Sequence, residues 1–543
     1  MTLSRFTNGR IYPTANSAPV DELWTHNGVV VAPDDAQAAI DNGCPIEFKD
    51  LAGATLLPAF RDGHAHPLFA AREAMGLHLT HCHDLRGIQA ALAAYLLENP
   101  AIDWIDGATY ERGITAGFEG DAAALLDAVV SDRPVVLHAD DHHTLWVNTA
   151  ALLAAGLDSA EAVAEVARKI GHGSIDVNSA GEATGILREW EAMSLVLDLA
   201  PQPSREQDLD ALDAAQDELL RHGLVAVVDA WIDPGMAEVY LAVADAGRLR
   251  MRFDLAFRFA PGEWRERLPY FVEMRDRIAA AGHELLSAQT AKFFADGAFG
   301  SATAHVHEPY VGTTGHAGNH GQAVWSRTEF AEATSEAAAA GFALHIHAIG
   351  DAGVTAALDA IASVPAKNRT LRPPVVAHVE LVRDSDWARF AALGVIANFE
   401  PFWAQQNAML TGCIPHLGAE RVDGMYAMRT ALRAGVRLSF GSDWPVSSFV
   451  PLEGIQVAVT RATLEAPEDR WTPEQALGAS EAISAYTSSV AAQMGDSGAG
   501  ALLPGNRADM VVLAADPLTC TATDLSNCKV LATFVGGQEL YSA

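Results

Sequence analysis

The sequence predicts an α/β protein: a (β/α)₈ TIM barrel, a small β-sandwich formed by both termini, and a long insertion after the first barrel strand. Three patterns predict it. Short apolar runs alternate with helix-like stretches through the middle of the chain, both ends are rich in strand and turn signals, and one gap between runs is far longer than an ordinary crossover.

At the N-terminus, Phe6-Thr7-Asn8-Gly9-Arg10-Ile11-Tyr12 and Leu23-Trp24-Thr25-His26-Asn27-Gly28-Val29-Val30-Val31 each set an Asn-Gly pair between β-prone residues, a hairpin signal. The C-terminus reads alike in Ala508–Leu513 and in 530–537, so the two ends are expected to pair into one small sheet domain. Between them lie eight apolar runs, at 54–60, 224–230, 251–258, 289–295, 342–348, 375–380, 394–399 and 436–441. Ala/Glu/Leu-rich segments such as 329–340 and 427–434 separate most of them and carry helical periodicity. Eight β/α units make a closed parallel barrel the expected architecture, and the absence of GxGxxG after the first run argues against a dinucleotide fold. About 160 residues separate the first run from the second, so this stretch must hold structure of its own, with helical pieces at 87–98 and 122–129. It leaves the barrel at the face where the active sites of such barrels sit and is expected to cap it. The implied domains are 1–53 and 485–543 for the sandwich and 54–484 for the barrel, with 72–215 inserted as the cap.

Half of the 543 residues are hydrophobic and 19% are charged, the composition of a globular chain with a sizeable core. The formal net charge of −33 repels phosphate backbones and anionic lipid, so neither nucleic acid nor membrane is an expected partner. The opening MTLSRFTNGRIYPT lacks the apolar stretch of a secretory signal, and no apolar segment is long enough to span a bilayer. Five scattered cysteines without CxxC spacing read as reduced thiols. The expected setting is the cytoplasm, with a small-molecule substrate and a chain acting alone or as a homo-oligomer.

The chemistry is carried by histidines. In Arg61-Asp62-Gly63-His64-Ala65-His66 two imidazoles two residues apart point the same way from an extended strand end. An HxH pair alone says little, and His81 and His83, in the insertion with no barrel strand beneath them, are expected to be structural. His142 and His143 face opposite ways if extended and are not expected to share a metal. The first pair gains weight from what ends the later runs: His347 at the fifth, His378 at the sixth and Asp443 at the eighth, all at the face where barrel chemistry occurs. This nitrogen and oxygen set suits Zn²⁺, with Mn²⁺, Fe²⁺ or Co²⁺ as alternatives. His345 lies one repeat deeper and reads as an interior residue behind the ligands. Lys292, set among apolar residues in the fourth run, either pairs with Asp296 or serves chemistry, as a lysine carbamylated by CO₂ whose carboxylate bridges two metal ions.

These residues resemble the amidohydrolase superfamily, and within it the long amidohydrolases related to the N-substituted formamide deformylases. The resemblance rests on Pro58-Ala59-Phe60-Arg61-Asp62-Gly63-His64-Ala65-His66, Asp141-His142-His143-Thr144-Leu145-Trp146-Val147-Asn148 and Lys292-Phe293-Phe294-Ala295-Asp296-Gly297. It continues through His347-Ala348-Ile349-Gly350-Asp351, Gly441-Ser442-Asp443-Trp444-Pro445-Val446 and the stretch from Pro504 to Leu513. It implies a barrel plus a small sandwich, with His64, His66, His347, His378 and Asp443 as metal ligands and Lys292 in the place of the carbamylated lysine of binuclear members. Two departures, Ala59 for the usual Gly and Arg61 for an apolar residue, spare the ligands, though Arg61 would add charge beside the metals.

The implied activity is hydrolysis of a C–N bond in an amide, formamide or cyclic amide by metal-activated water, with one or two divalent metals per chain. Asp443 is the expected general acid–base, and His143 the candidate for polarising the carbonyl, with a helix-start histidine as the alternative. Tyr110, Glu111 and Arg112 are weaker substrate-contact candidates. Trp146, Trp403 and Trp444 would suit an aromatic substrate group or simply the core. Two other readings share the pattern: a non-hydrolytic enzyme such as a decarboxylase on the same metal barrel, and a non-catalytic metal-stabilised binding scaffold.

Overall fold

The computed structural model describes residues 3–115, 120–140, 142–171, 173–312, 318–368 and 372–543. It divides into two compact units, one of Met1–Pro67 with Leu212–Ala543 and one of Leu68–Ala211.

The first unit holds the barrel. Its eight strands are Phe60–Ala65, Leu224–Ile232, Arg252–Arg258, Leu286–Phe294, Ala343–Ala348, Val375–His378, Ile396–Phe399 and Leu438–Phe440, each parallel to its neighbour. Buried on both faces, they read as continuous apolar runs: every residue of Leu224–Ile232 is buried. Helices such as Met236–Asp245, Arg327–Ala339 and Asp351–Ser363 lie between successive strands. Arg327–Ala339 begins at a capped end, with the Ser326 hydroxyl accepting the Glu329 N–H at 3.2 Å.

Register then sets which side chains stand level. Lys292 pairs with His345, Phe294 with His347, and Ala348 with His378. Between the eighth strand and the first, the ring closes through strand-end groups. The His64 carbonyl accepts the N–H groups of Ser442 (3.1 Å) and Asp443 (2.7 Å). The Asp62 carboxylate takes the His64 N–H at 3.0 Å, the Ser442 N–H at 3.1 Å and the Ser442 hydroxyl at 2.6 Å. Glycine is required on both sides of this seam: a Cβ on Gly441 would stand 2.7 Å from the His64 Cβ, and one on Gly63 would stand 2.9 Å from the Phe440 carbonyl oxygen.

The apolar run at 54–60 divides between two sheets. Thr55–Pro58 pairs with Leu3–Ile11 and Met510–Leu513 in the terminal sheet, and the first barrel strand follows as Phe60–Ala65. This strand is hard to read because Arg61 and Asp62 are charged, yet both are fully buried. Alternation puts Arg61 on the face opposite His64, where it meets Asp509 at 2.7 Å and Asp496 at 3.4 Å. Its charge is spent joining the barrel to the terminal sheet, not beside His64 and His66.

The terminal sheet has eight strands drawn from both ends of the chain and is the small sandwich domain of the fold. Its order runs Gln538–Ser542, Val530–Val535, Met510–Leu513, Thr55–Pro58, Leu3–Ile11, Val20–His26, Val29–Val31, with Ile46–Asp50 also beside Leu3–Ile11. Phe6, Leu23, Leu56, Met510 and Phe534 form its core. Only the second Asn-Gly pair makes a hairpin, with Asn27 at φ 50° and Gly28 at φ 82°. At the first, Asn8 takes φ 59° inside a continuous strand and the register shifts. The 51–54 segment packs so closely there that a Cβ on Gly9 would lie 2.5 Å from the Ala54 carbonyl oxygen.

The second unit is the insertion. Its six-stranded sheet runs Ser174–Val177, Ala183–Arg188, Thr144–Val147, Val135–Ala139, Ile105–Tyr110, Leu77–His78. Helices Leu85–Glu98 and Ala122–Asp127 occupy the two stretches where helical periodicity places them. Trp146 is fully buried in this unit's core, so it serves packing. Among the described residues no helix is long and apolar enough to cross a membrane.

Candidate metal centre

The C-terminal strand ends converge on His64. Lys292 Nζ lies 3.2 Å from its Nε2, Asp443 Oδ1 lies 3.3 Å from the same nitrogen, and His345 Nε2 lies 2.9 Å from its Nδ1. His66 Nε2 meets Asp443 Oδ1 at 2.9 Å, and the His378 ring stands 4.7 Å from that of His64, centre to centre. Two groups within this cluster have ligand atoms within 4.8 Å of one another: His64, His66 and Asp443, and His64, His378 and Glu400.

Of the sequence-predicted ligands, the fold thus brings together His64, His66, Lys292, His378 and Asp443. His347 stands beside them, its ring 4.4 Å from that of His378 and its Nε2 3.2 Å from the Gly297 carbonyl oxygen, outside both groups. His345 sits behind His64. Lys292 lies against His64 and, at 4.6 Å, the Phe294 ring. Asp296, the alternative partner for Lys292, instead accepts the backbone N–H groups of His305 (2.9 Å), Ile349 (3.0 Å) and Gly350 (2.8 Å).

Glu400 was not anticipated. It directly follows the seventh strand, where the Glu-Pro pair reads as the start of a loop, yet it is fully buried and its Oε2 lies 3.0 Å from His378 Nδ1. The signal was its place: an acidic residue ending an apolar run, like Asp443. Trp403 stacks on the other side of His378, rings 5.5 Å apart and 4° from parallel, so that imidazole is fixed on two sides.

Two predicted ligands hold left-handed backbone conformations, His378 at φ 73° and Asp443 at φ 55°. A side chain other than glycine pays strain there, and such strain is tolerated where position matters. Here the seam bonds and the Glu400–Trp403 clamp impose it.

Burial favours the neutral form of three of the imidazoles. Burial, then the Lys292 charge, holds His64 and His345 well below the usual histidine range. Burial likewise lowers His378 to about 3 and Lys292 to about 7. For Asp443, burial works against ionisation, but the His66 hydrogen bond and charge outweigh it and keep the carboxyl below its ordinary value. Burial also opposes the charge on His66, but Asp229 and Asp443 outweigh that and raise it. Imidazole nitrogens of His64 and His378 beside the Asp443 carboxyl are donors that could hold a divalent metal ion. Glu400 Oε1, buried with no hydrogen-bond partner, fits the same need.

The remaining candidates belong to the second unit. His143 belongs to the second unit, just before strand Thr144–Val147 and not at a helix start, with Nδ1 2.7 Å from buried Glu189 Oε2. His83 and Glu111 pair at the surface at 2.6 Å, and Tyr110 is buried in the core. Asp141 lies outside the described residues, as does the side chain of Arg112.

Residues 47–541 match the Amidohydrolase family profile. The protein LONG AFTER FAR-RED 3 of Arabidopsis thaliana is 28% identical over 563 residues, spanning 98% of this chain and 91% of that protein. N-substituted formamide deformylase of Arthrobacter pascens is 27% identical over 512 residues, 90% of this chain and 89% of that one. The crystal structure of an uncharacterized metal-dependent hydrolase from Pyrococcus horikoshii OT3 shares the fold, with a TM-score of 0.74 at 22% identity, covering 96% of this chain and 99% of that chain. With nearly its whole length matched by the profile, the chain belongs to the amidohydrolase family.

Proposed function

We propose that this protein is a metal-dependent hydrolase of C–N bonds, acting on an amide, formamide or cyclic amide. The observation that carries the reading is the buried convergence of His64, His66, Lys292, His378 and Asp443 at the barrel's C-terminal strand ends. Similarity to a formamide deformylase supports the choice of bond. A divalent ion held by these residues supplies a Lewis acid for the carbonyl and lets water ionise at a pH near 7 instead of about 15.7.

The protein's own groups do the rest. Asp443, kept ionised, accepts the proton of the attacking water and returns it to the leaving amine. His66 holds that carboxylate by its 2.9 Å contact. Lys292, lowered to about 7 by burial, would add through its nitrogen lone pair to CO₂ and release a proton, and the resulting carbamate would offer a further oxygen to the metal. His143, its ring held by Glu189, is proposed to polarise the scissile carbonyl.

The reading is tested with zinc-reconstituted protein on a panel of N-substituted formamides, simple amides, cyclic amides and carboxylated analogues in H₂¹⁸O. The expected result is release of an amine with ¹⁸O in the new carboxyl group. Turnover of a carboxylated substrate to CO₂ without ¹⁸O in the organic product would overturn hydrolysis in favour of decarboxylation.

A further inference from the structure

We propose that the inserted unit carries a divalent transition-metal site of its own, formed by Glu73, His138 and His142, with Zn²⁺ as the ion it takes. The three come from separate elements: Glu73 ends helix Pro67–Glu73, His138 lies in strand Val135–Ala139, and His142 stands in the turn beyond that strand. One ligand atom from each lies within 4.8 Å of the other two. His142 Nδ1 is 3.2 Å from Glu73 Oε1, and His138 Nε2 is 3.3 Å from Asp106 Oδ1.

A purely structural network of histidines and carboxylates would give each buried ring nitrogen a hydrogen-bond partner. The remaining ring nitrogens, His138 Nδ1 and His142 Nε2, are both buried without a hydrogen-bond partner. His138 is only 7% exposed. A buried imidazole nitrogen left without a partner is costly, and two in one cluster call for something that binds nitrogen lone pairs. Two imidazoles and a carboxylate favour zinc over the oxygen-seeking Mg²⁺ or Ca²⁺. Asp106, against the second nitrogen of His138, stands where a carboxylate fixes the tautomer of a metal-binding ring.

The site would also account for a strained turn. His142 holds φ 53°, and a metal tying it to Glu73 and His138 would lock that turn immediately before His143. No residue of the barrel cluster takes part, so the inference does not rest on the hydrolase reading.

The test uses full-length wild-type crystals equilibrated with micromolar Zn²⁺ and anomalous difference maps at the zinc edge. A peak bounded by Glu73, His138 and His142 is expected. Peaks at the barrel cluster with none here, or zinc here only at millimolar concentration, would overturn the proposal. In solution, Glu73→Gln and His142→Ala should each weaken binding of one zinc per chain by about 100-fold. Folded variants, verified by circular dichroism, that keep wild-type zinc affinity would also overturn it. The crystal result decides the matter if neither variant folds.

Discussion

Asp443→Asn lowers kcat by about 10²- to 10⁴-fold even at saturating zinc, the range for losing a positioned general acid–base. Asparagine is chosen for the backbone. At φ 55° an alanine would add strain, whereas asparagine enters the left-handed region readily and keeps the shape of the side chain. It still reaches His66, but it cannot hold a proton between water and the leaving amine. Metal affinity falls too, since a neutral amide oxygen is a poorer ligand, and titrating zinc to saturation separates the two effects. A variant with near wild-type kcat at saturating zinc would remove Asp443 from the proton path.

Arg61→Met destabilises the protein by about 3 kcal/mol, the low end of the cost of breaking a buried ion pair. Arg61 is fully buried against Asp509, itself 3% exposed, and the methionine leaves that carboxylate behind. Arg252, 3.2 Å from the same carboxylate, limits the loss. The measurement is the midpoint of chemical denaturation followed by circular dichroism. Zinc binding at the strand ends should survive in the folded variant, because Arg61 faces away from His64. An unchanged midpoint would contradict the role assigned to the Arg61–Asp509 pair.

What the sequence revealed and what it concealed follow from where charge is buried. Eight apolar runs announced the barrel because parallel strands covered on both faces cannot alternate with polar residues. His64, His66, His378 and Asp443 were legible as polar residues at the ends of such runs. The first strand was misplaced because Arg61 and Asp62 interrupt the apolar pattern, and their partners, Asp509 and Ser442, lie hundreds of residues away. Glu400 was missed for a related reason: a carboxylate before a proline looks solvated until His378 is found beside it. Asp296, the alternative partner for Lys292 by its nearness in sequence, is claimed by three backbone N–H groups instead. The insertion contributed helices by periodicity, but the meeting of Glu73, His138 and His142 depends on a turn that no local pattern marks.

The central claim is that the barrel strand ends hold catalytic metal, with Lys292 contributing to its binding. It is tested most directly by elemental analysis of zinc-reconstituted protein, in a His142→Ala background that silences the inserted unit, with and without Lys292→Ala. About two zinc ions per chain, falling when Lys292 is removed, is the predicted result for a carbamate-linked pair. A chain that takes up no zinc in either form would contradict it.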